Sequence, residues 1–202
     1  MRPAAAPGRA GLSALEVVVG VALLAAVVAK VILVSSAASN VSSEDLANIV
    51  VEDQARLTLD RIAYSIMGSD RASLIPDAET PAFSARIRYR LSLGVQNGVV
   101  VWDDPELIAL SEDDRKLRWF EDPGGAAERA VVWCDAVREL LEGEELNGVD
   151  DNGNGLIDES GLTFEIDGNT VTVTLTLERP TRGGRTVVRT VSTTVTCRQF
   201  EP

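Results

Sequence analysis

The sequence predicts an α+β chain, with one long N-terminal helix followed by antiparallel sheet. Three observations carry that reading. No proline falls between Leu12 and Ile75. Within that stretch the apolar residues first run on continuously and then recur at helical spacing. From Ser84 the period shortens to two, and short apolar runs alternate with turn residues.

Residues 1–11, MRPAAAPGRAG, form a leader that carries Arg2 and Arg9 and no acid. Positive residues stay on the cytoplasmic side, so the rest of the chain faces outward. Residues 12–34 hold the apolar run VVVGVALLAAVVAKVILV. As a helix Val17 to Val34 spans about 27 Å, close to the roughly 30 Å of a bilayer core. This is read as a transmembrane helix. A conventional secretory signal, cut near Ser35, Ser36, Ala37 and Ala38, is the alternative. The run is long for that, and Glu16 at its mouth fits it poorly. A carboxylate in lipid costs a few kcal/mol, so Glu16 calls for a partner charge. Lys30, the other charge, either snorkels to the outer headgroups or pairs with an acid on a partner helix.

Residues 35–68 read as an amphipathic continuation. Ala55, Leu59, Ile62 and Ile66 fall three and four apart with charges between them. Gly68 is the expected stop. Ser42 with Asp45 resembles a weak capping box, which leaves open a break in the helix there.

Residues 69–202 make a β-rich globular domain. ARIRYRL and VVVW flank Gln96-Asn97-Gly98 and read as a hairpin. KLRWF and AVVWC are further short strands, and CDAVRELLEGEEL is read as holding a short helix. TVTVTLTL is the cleanest strand, with Val171, Val173, Leu175 and Leu177 on one face. Asp167-Gly168-Asn169 turns into it, and Gly183-Gly184 turns out of it into RTVVRTVSTTVTC. The last strands therefore form an antiparallel meander with one buried face.

The charge balance is 19 basic against 31 acidic residues, a net −12. Such a chain does not bind nucleic acid or anionic lipid nonspecifically. The sequence contains no histidine. That removes Ser-His and Cys-His catalysis and the usual catalytic zinc sites. No phosphate-cradling glycine loop is present, and the chain is read as not an enzyme.

Gly11-Leu12-Ser13-Ala14-Leu15-Glu16 before an apolar helix resembles the processing site of type IV pilins and pseudopilins. The resemblance implies that a prepilin peptidase cuts after Gly11 and that the new N-terminus at Leu12 is methylated. It implies that Glu16, fifth in the mature chain, neutralises the α-amine of a neighbouring subunit. Leu12 departs from the phenylalanine or methionine more common there. QARLTLDRIAYSI, short strands and a closing meander ending in TTVTCR are similar to a minor pseudopilin of the J type or a PilW-like minor pilin. The implied setting is the bacterial inner membrane. There the chain is single-pass with a periplasmic domain, and its partners are other pseudopilins or pilins in a periplasmic filament, at or near the tip.

GVDDNGNGLIDES is a second signal. Asp150, Asn152, Asn154 and Gly155 match the first half of an EF-hand-type loop, D-x-[DN]-x-[DN]-G. Oxygens at alternate positions converge on one point, so residues 150–159 are expected to hold a structural calcium ion. Its ligands are Asp150, Asn152, Asn154, the backbone carbonyl of Leu156, Asp158 and Glu159, with Ile157 pointing into the core. Gly161 stands where a full EF-hand has its bidentate glutamate. An acidic, glycine-rich turn is the plain alternative. Cys134 and Cys197 lie outside the membrane in this orientation, where a disulfide is permitted. Closing that loop is worth about 4 kcal/mol. Two separate buried thiols are the alternative.

Two functions from different classes follow. One is a filament subunit, either a type II secretion pseudopilin or a type IV minor pilin. The other is a monomeric, membrane-anchored, calcium-stabilised binding domain.

Overall fold

The computed structural model describes residues 13–76, 81–111, 113, 115–153, 156–181 and 183–197. The chain divides into two compact units, Met1–Ser43 and Glu44–Pro202. The fold class is α+β. Helix α1 runs Ala14–Met67 and supplies residues to both units. The Ser42–Asp45 pair does not interrupt it.

In the first unit α1 carries a segment long and apolar enough to cross a membrane, and none of that segment is buried. Its leucines, valines and isoleucines stand exposed on every side. A helix apolar all round has no polar face to give to water.

The second unit is built on two four-stranded antiparallel sheets and a hairpin. The strands are β1 (Ala82–Ser84), β2 (Arg86–Tyr89), β3 (Ser92–Gln96), β4 (Val99–Trp102) and β5 (Glu106–Leu110), followed by β6 (Leu117–Glu121), β7 (Arg129–Cys134), β8 (Leu162–Asp167), β9 (Thr170–Pro180) and β10 (Thr186–Thr196). One sheet has the order β1-β8-β9-β10 and the other β2-β5-β6-β7. β9 buries Val171, Val173, Leu175 and Leu177 on one face. β10 pairs with β9 along its whole length and forms the sheet edge. The expected closing meander is therefore present, with β1 added beside β8.

One core joins helix to sheets. Val51, Ala55, Leu59, Ile62 and Ile66 of α1 pack into a cluster with Ile87, Ile108, Leu117, Phe164, Ile166 and the buried side of β9. Each fully buried Leu or Ile contributes about 1.5–3 kcal/mol. Beneath the helix end, Tyr89 Oη donates to Glu106 Oε2 at 2.5 Å and Trp119 Nε1 donates to the same oxygen at 2.6 Å. Burial, with the Glu106 carboxylate beside it, pushes the Tyr89 phenol far above its ordinary value. The buried phenol and the half-buried indole thus both meet the one buried carboxylate, and neither donor is left unmet.

The structure corrects two expected elements. The Asn97-Gly98 turn does close a hairpin, with φ of 54° and 79° as a two-residue primed turn requires. VVVW is one of its strands, β4, as expected, but the partner is β3 and not ARIRYRL. Residues 86–89 pair with β5 instead. No helix forms in residues 134–146. Val137 bridges Leu177 and Leu140 bridges Ser160, so that segment lies extended along the first sheet.

Candidate functional site: a two-faced helix and a braced acidic loop

Gly11 and Leu12 lie outside the described residues. Glu16 does not, and its surroundings are informative. Ser13 N donates to Glu16 Oε2 at 2.8 Å, and Glu16 N donates to Ser13 Oγ at 3.3 Å. Ser13 and Glu16 form a reciprocal capping box at the start of α1. The pattern S-x-x-E stands in Ser13-Ala14-Leu15-Glu16, where it caps the helix, whereas Ser42 and Asp45 lie inside it. Glu16 therefore satisfies one backbone donor at its own helix start, and Ser13 Oγ satisfies a second, before any second chain is considered.

Within the second unit α1 has two apolar faces. Val51, Ala55, Thr58, Leu59, Ile62 and Ile66 are buried. Leu46, Ile49, Val50, Leu57, Tyr64 and Met67 are exposed. At about 100° per residue the second set centres on the opposite side of the helix from the first. Asp53 and Asp60 interrupt it. Val50, Gln54, Leu57 and Arg61 also line a groove of about 390 Å³ closed on one side by Trp133. A polar outer face would be the ordinary companion to a buried stripe, so this second stripe calls for an explanation.

The acidic loop is organised around a residue that the motif did not include. Glu144 is 1% exposed. Its Oε1 accepts Asn152 N at 3.1 Å and its Oε2 accepts Asp158 N at 3.2 Å, so one carboxylate braces both arms. Asp150 Oδ1 accepts Gly153 N at 2.6 Å, the turn expected of the first position in such a loop. Asp158 takes backbone donors from Asn147 at 3.0 Å and from Gly148 at 3.0 and 3.2 Å. Asn152 Nδ2 donates to Glu159 Oε2 at 3.2 Å. Asn154 lies outside the described residues.

Two details of the loop differ from expectation. Ile157 is 60% exposed, and it is Leu156 that turns inward, beside Phe83, Leu141 and Thr163. Asp158, the ninth position of the loop, adopts φ of 50°, a left-handed conformation uncommon for a residue other than glycine. Gly161 is glycine for a reason unrelated to metal. A Cβ there would lie 2.0 Å from the Arg138 carbonyl oxygen. The backbone threads between neighbours at that point, with Gly161 N donating to Glu139 O and Thr176 N donating to Gly161 O.

The donor chemistry fits calcium, since every candidate ligand is a hard oxygen. The geometry fits it in part. Asp150, Asn152 and Glu159 belong to one loop, but both Asp158 oxygens are taken by Asn147 and Gly148. Among the described residues no three carboxylate or thiol groups gather closely enough to hold a metal.

The expected disulfide is not formed. Cys134 and Cys197 are separate buried thiols. Cys134 accepts from Gln54 Nε2 at 3.5 Å and sits beside Thr58, whereas Cys197 sits beside Ser69. Thr58 to Met67 alone is about 14 Å of helix, far beyond the span a disulfide bridges. Burial pushes both thiols above their ordinary value.

No family model, curated protein or solved structure matches the chain.

Proposed function

We propose that the chain is a structural minor pseudopilin of a type II secretion pseudopilus, with a minor pilin of a type IV pilus as the close variant. In this reading prepilin peptidase cuts after Gly11 and leaves Leu12 as a methylated N-terminus. The first part of α1 anchors the chain in the inner membrane, and the globular unit lies in the periplasm. The observation that carries the reading is the second apolar stripe of α1. A monomer gains nothing from Leu46, Ile49, Val50, Leu57, Tyr64 and Met67 in water, whereas a bundle of such helices buries them. The pilin-like fold, the neighbouring subunits and the place near the filament tip belong to the same proposal.

One observation favours the other class. The capping box gives Glu16 a role that needs no partner amine. A membrane-anchored monomer explains that equally well.

The deciding experiment is the intact mass of the protein from its native membrane. A chain beginning at methylated Leu12 supports the filament subunit. A chain beginning at Met1 supports the anchored domain. Glu16→Gln and Glu16→Ala then separate the two roles of the carboxylate. Filament assembly through a charge pair fails in both variants, whereas capping alone tolerates glutamine better than alanine.

Calcium in residues 150–159 is part of the proposal as a structural ion. Asp150, Asn152, Asn154, Leu156 O and Glu159 would hold it, and Asp158 would join by leaving Asn147 and Gly148. A bound cation would offset repulsion among these carboxylates and order the entry to β8. Calorimetric titration with calcium tests it, with binding expected in the parent and lost in Asp150→Ala.

A further inference from the structure

The sheet β2-β5-β6-β7 has a second face whose composition is unlike the rest of the chain. Its inner face carries buried Ile87, Tyr89, Ile108 and Leu117. Strand alternation turns the intervening residues outward. The register lines them up in two rows, Arg86–Ala109–Arg118–Val132 and Arg88–Leu107–Phe120–Ala130. Those rows hold three arginines and no carboxylate. The chain as a whole has 31 acids to 19 bases, so a sheet face without a single acid is against its composition.

The arginines on β2 are available. Among the described residues no carboxylate pairs with Arg86 or Arg88. Arg118 Nη1 donates to Ser111 Oγ at 3.3 Å, so it is held in place. Arg86, Ala109, Arg118 and Phe120 line a cleft of about 600 Å³ whose lining also includes Glu139 and Ser160. Arg115, at the same rim, is committed to Glu178 at 2.6 Å. Arginine between apolar side chains suits a carboxylate that arrives together with an apolar neighbour.

We propose that this face docks an acidic segment of another polypeptide, with carboxylates on Arg86 and Arg88 and apolar side chains on Leu107 and Phe120. Charge complementarity selects this occupant, since two rows with three arginines and no carboxylate repel cations and attract anions. The proposal stands whether or not the chain assembles into filaments.

The test uses the full chain in nanodiscs of zwitterionic lipid and a labelled peptide of alternating glutamate and leucine, read by fluorescence anisotropy. The expected result is salt-sensitive binding that weakens about tenfold in Arg86→Ala/Arg88→Ala. The Arg86→Lys/Arg88→Lys variant keeps most of the affinity. Arg189→Ala, on β10, leaves it unchanged. A glutamine-for-glutamate peptide does not bind. The proposal is overturned if the parent does not bind the glutamate peptide, if the glutamine peptide binds equally well, or if the double alanine variant, checked as folded by circular dichroism, matches the parent. It is also overturned if the face binds phosphatidylglycerol vesicles and not the peptide, since the ligand is then a membrane surface.

Discussion

Ile62 and Tyr64 stand two residues apart on the same helix, yet Ile62 is 0% exposed and Tyr64 is 82% exposed. The stripe around Ile62 is explained within the chain, because Ile87, Ile108, Phe164 and the inner side of β9 cover it. The stripe around Tyr64 is apolar too, and it stays exposed among the described residues of the second unit. One face stabilises the fold. The other is apolar surface whose use lies outside the fold. The buried set recurs at three and four residues, whereas Asp53 and Asp60 break the exposed set into steps of seven from Val50 to Leu57 to Tyr64.

Mutations on the two faces should behave oppositely. Ile62→Ala removes a fully buried side chain and should cost about 2–5 kcal/mol of stability, read by denaturant unfolding of the detergent-solubilised chain. A loss below that range would mean that the helix is less firmly docked than its burial implies. Gly161→Ala places a methyl group against the Arg138 carbonyl and should cost more than about 1 kcal/mol. Gly161→Glu, which would complete the EF-hand pattern, should disrupt the fold rather than tighten calcium binding. On the exposed face, Leu57→Ser and Tyr64→Ser should change stability by no more than about 0.5 kcal/mol, while reducing recovery of the protein in sheared filament fractions. A large stability loss from either would show that the second stripe is packed within the monomer.

Alkaline titration sharpens the same contrast. Cys134, Cys197 and Tyr89 are all raised in the folded state by burial. An unfolded chain ionises its thiols near 9.0 and its phenols near 10.0, whereas the folded chain keeps these three protons. Their contribution is therefore fully present below those values, and stability falls as pH rises through them. Melting followed across this range should show a level region and then an alkaline decline, and reductant should leave the curve unmoved because no disulfide is formed.

Much of this was legible in the sequence. The core stripe of α1 and the buried face of β9 follow from spacing, because each meets one continuous apolar partner. Pairing partners were less legible. ARIRYRL looked like half of the 96–98 hairpin, but Tyr89 is committed to the core, and only residues from Ser92 onward are free to pair with β4. Residues 134–146 looked helical by composition, yet Val137 and Leu140 find backbone partners on the first sheet. The acidic loop was found by its motif, but its brace was not. Glu144 lies six residues before Asp150, and nothing in its neighbours marks it as buried. The Ser13–Glu16 cap was written in the sequence and was obscured by the more specific resemblance of the same residues.

The outer edge of β10 has a different consequence. Its 11 residues, TVVRTVSTTVT, contain no proline and a single charge, Arg189, and among the described residues no strand pairs with that side. Proteins usually blunt such an edge with charge, proline or a bulge, because an unblocked row of amides templates further strands. At high concentration, two globular units can zip together through these edges into ordered aggregates, with no change in either core. A lysine at Val188 or Thr190 would interrupt that growth, and the yield of soluble protein on expression would record it.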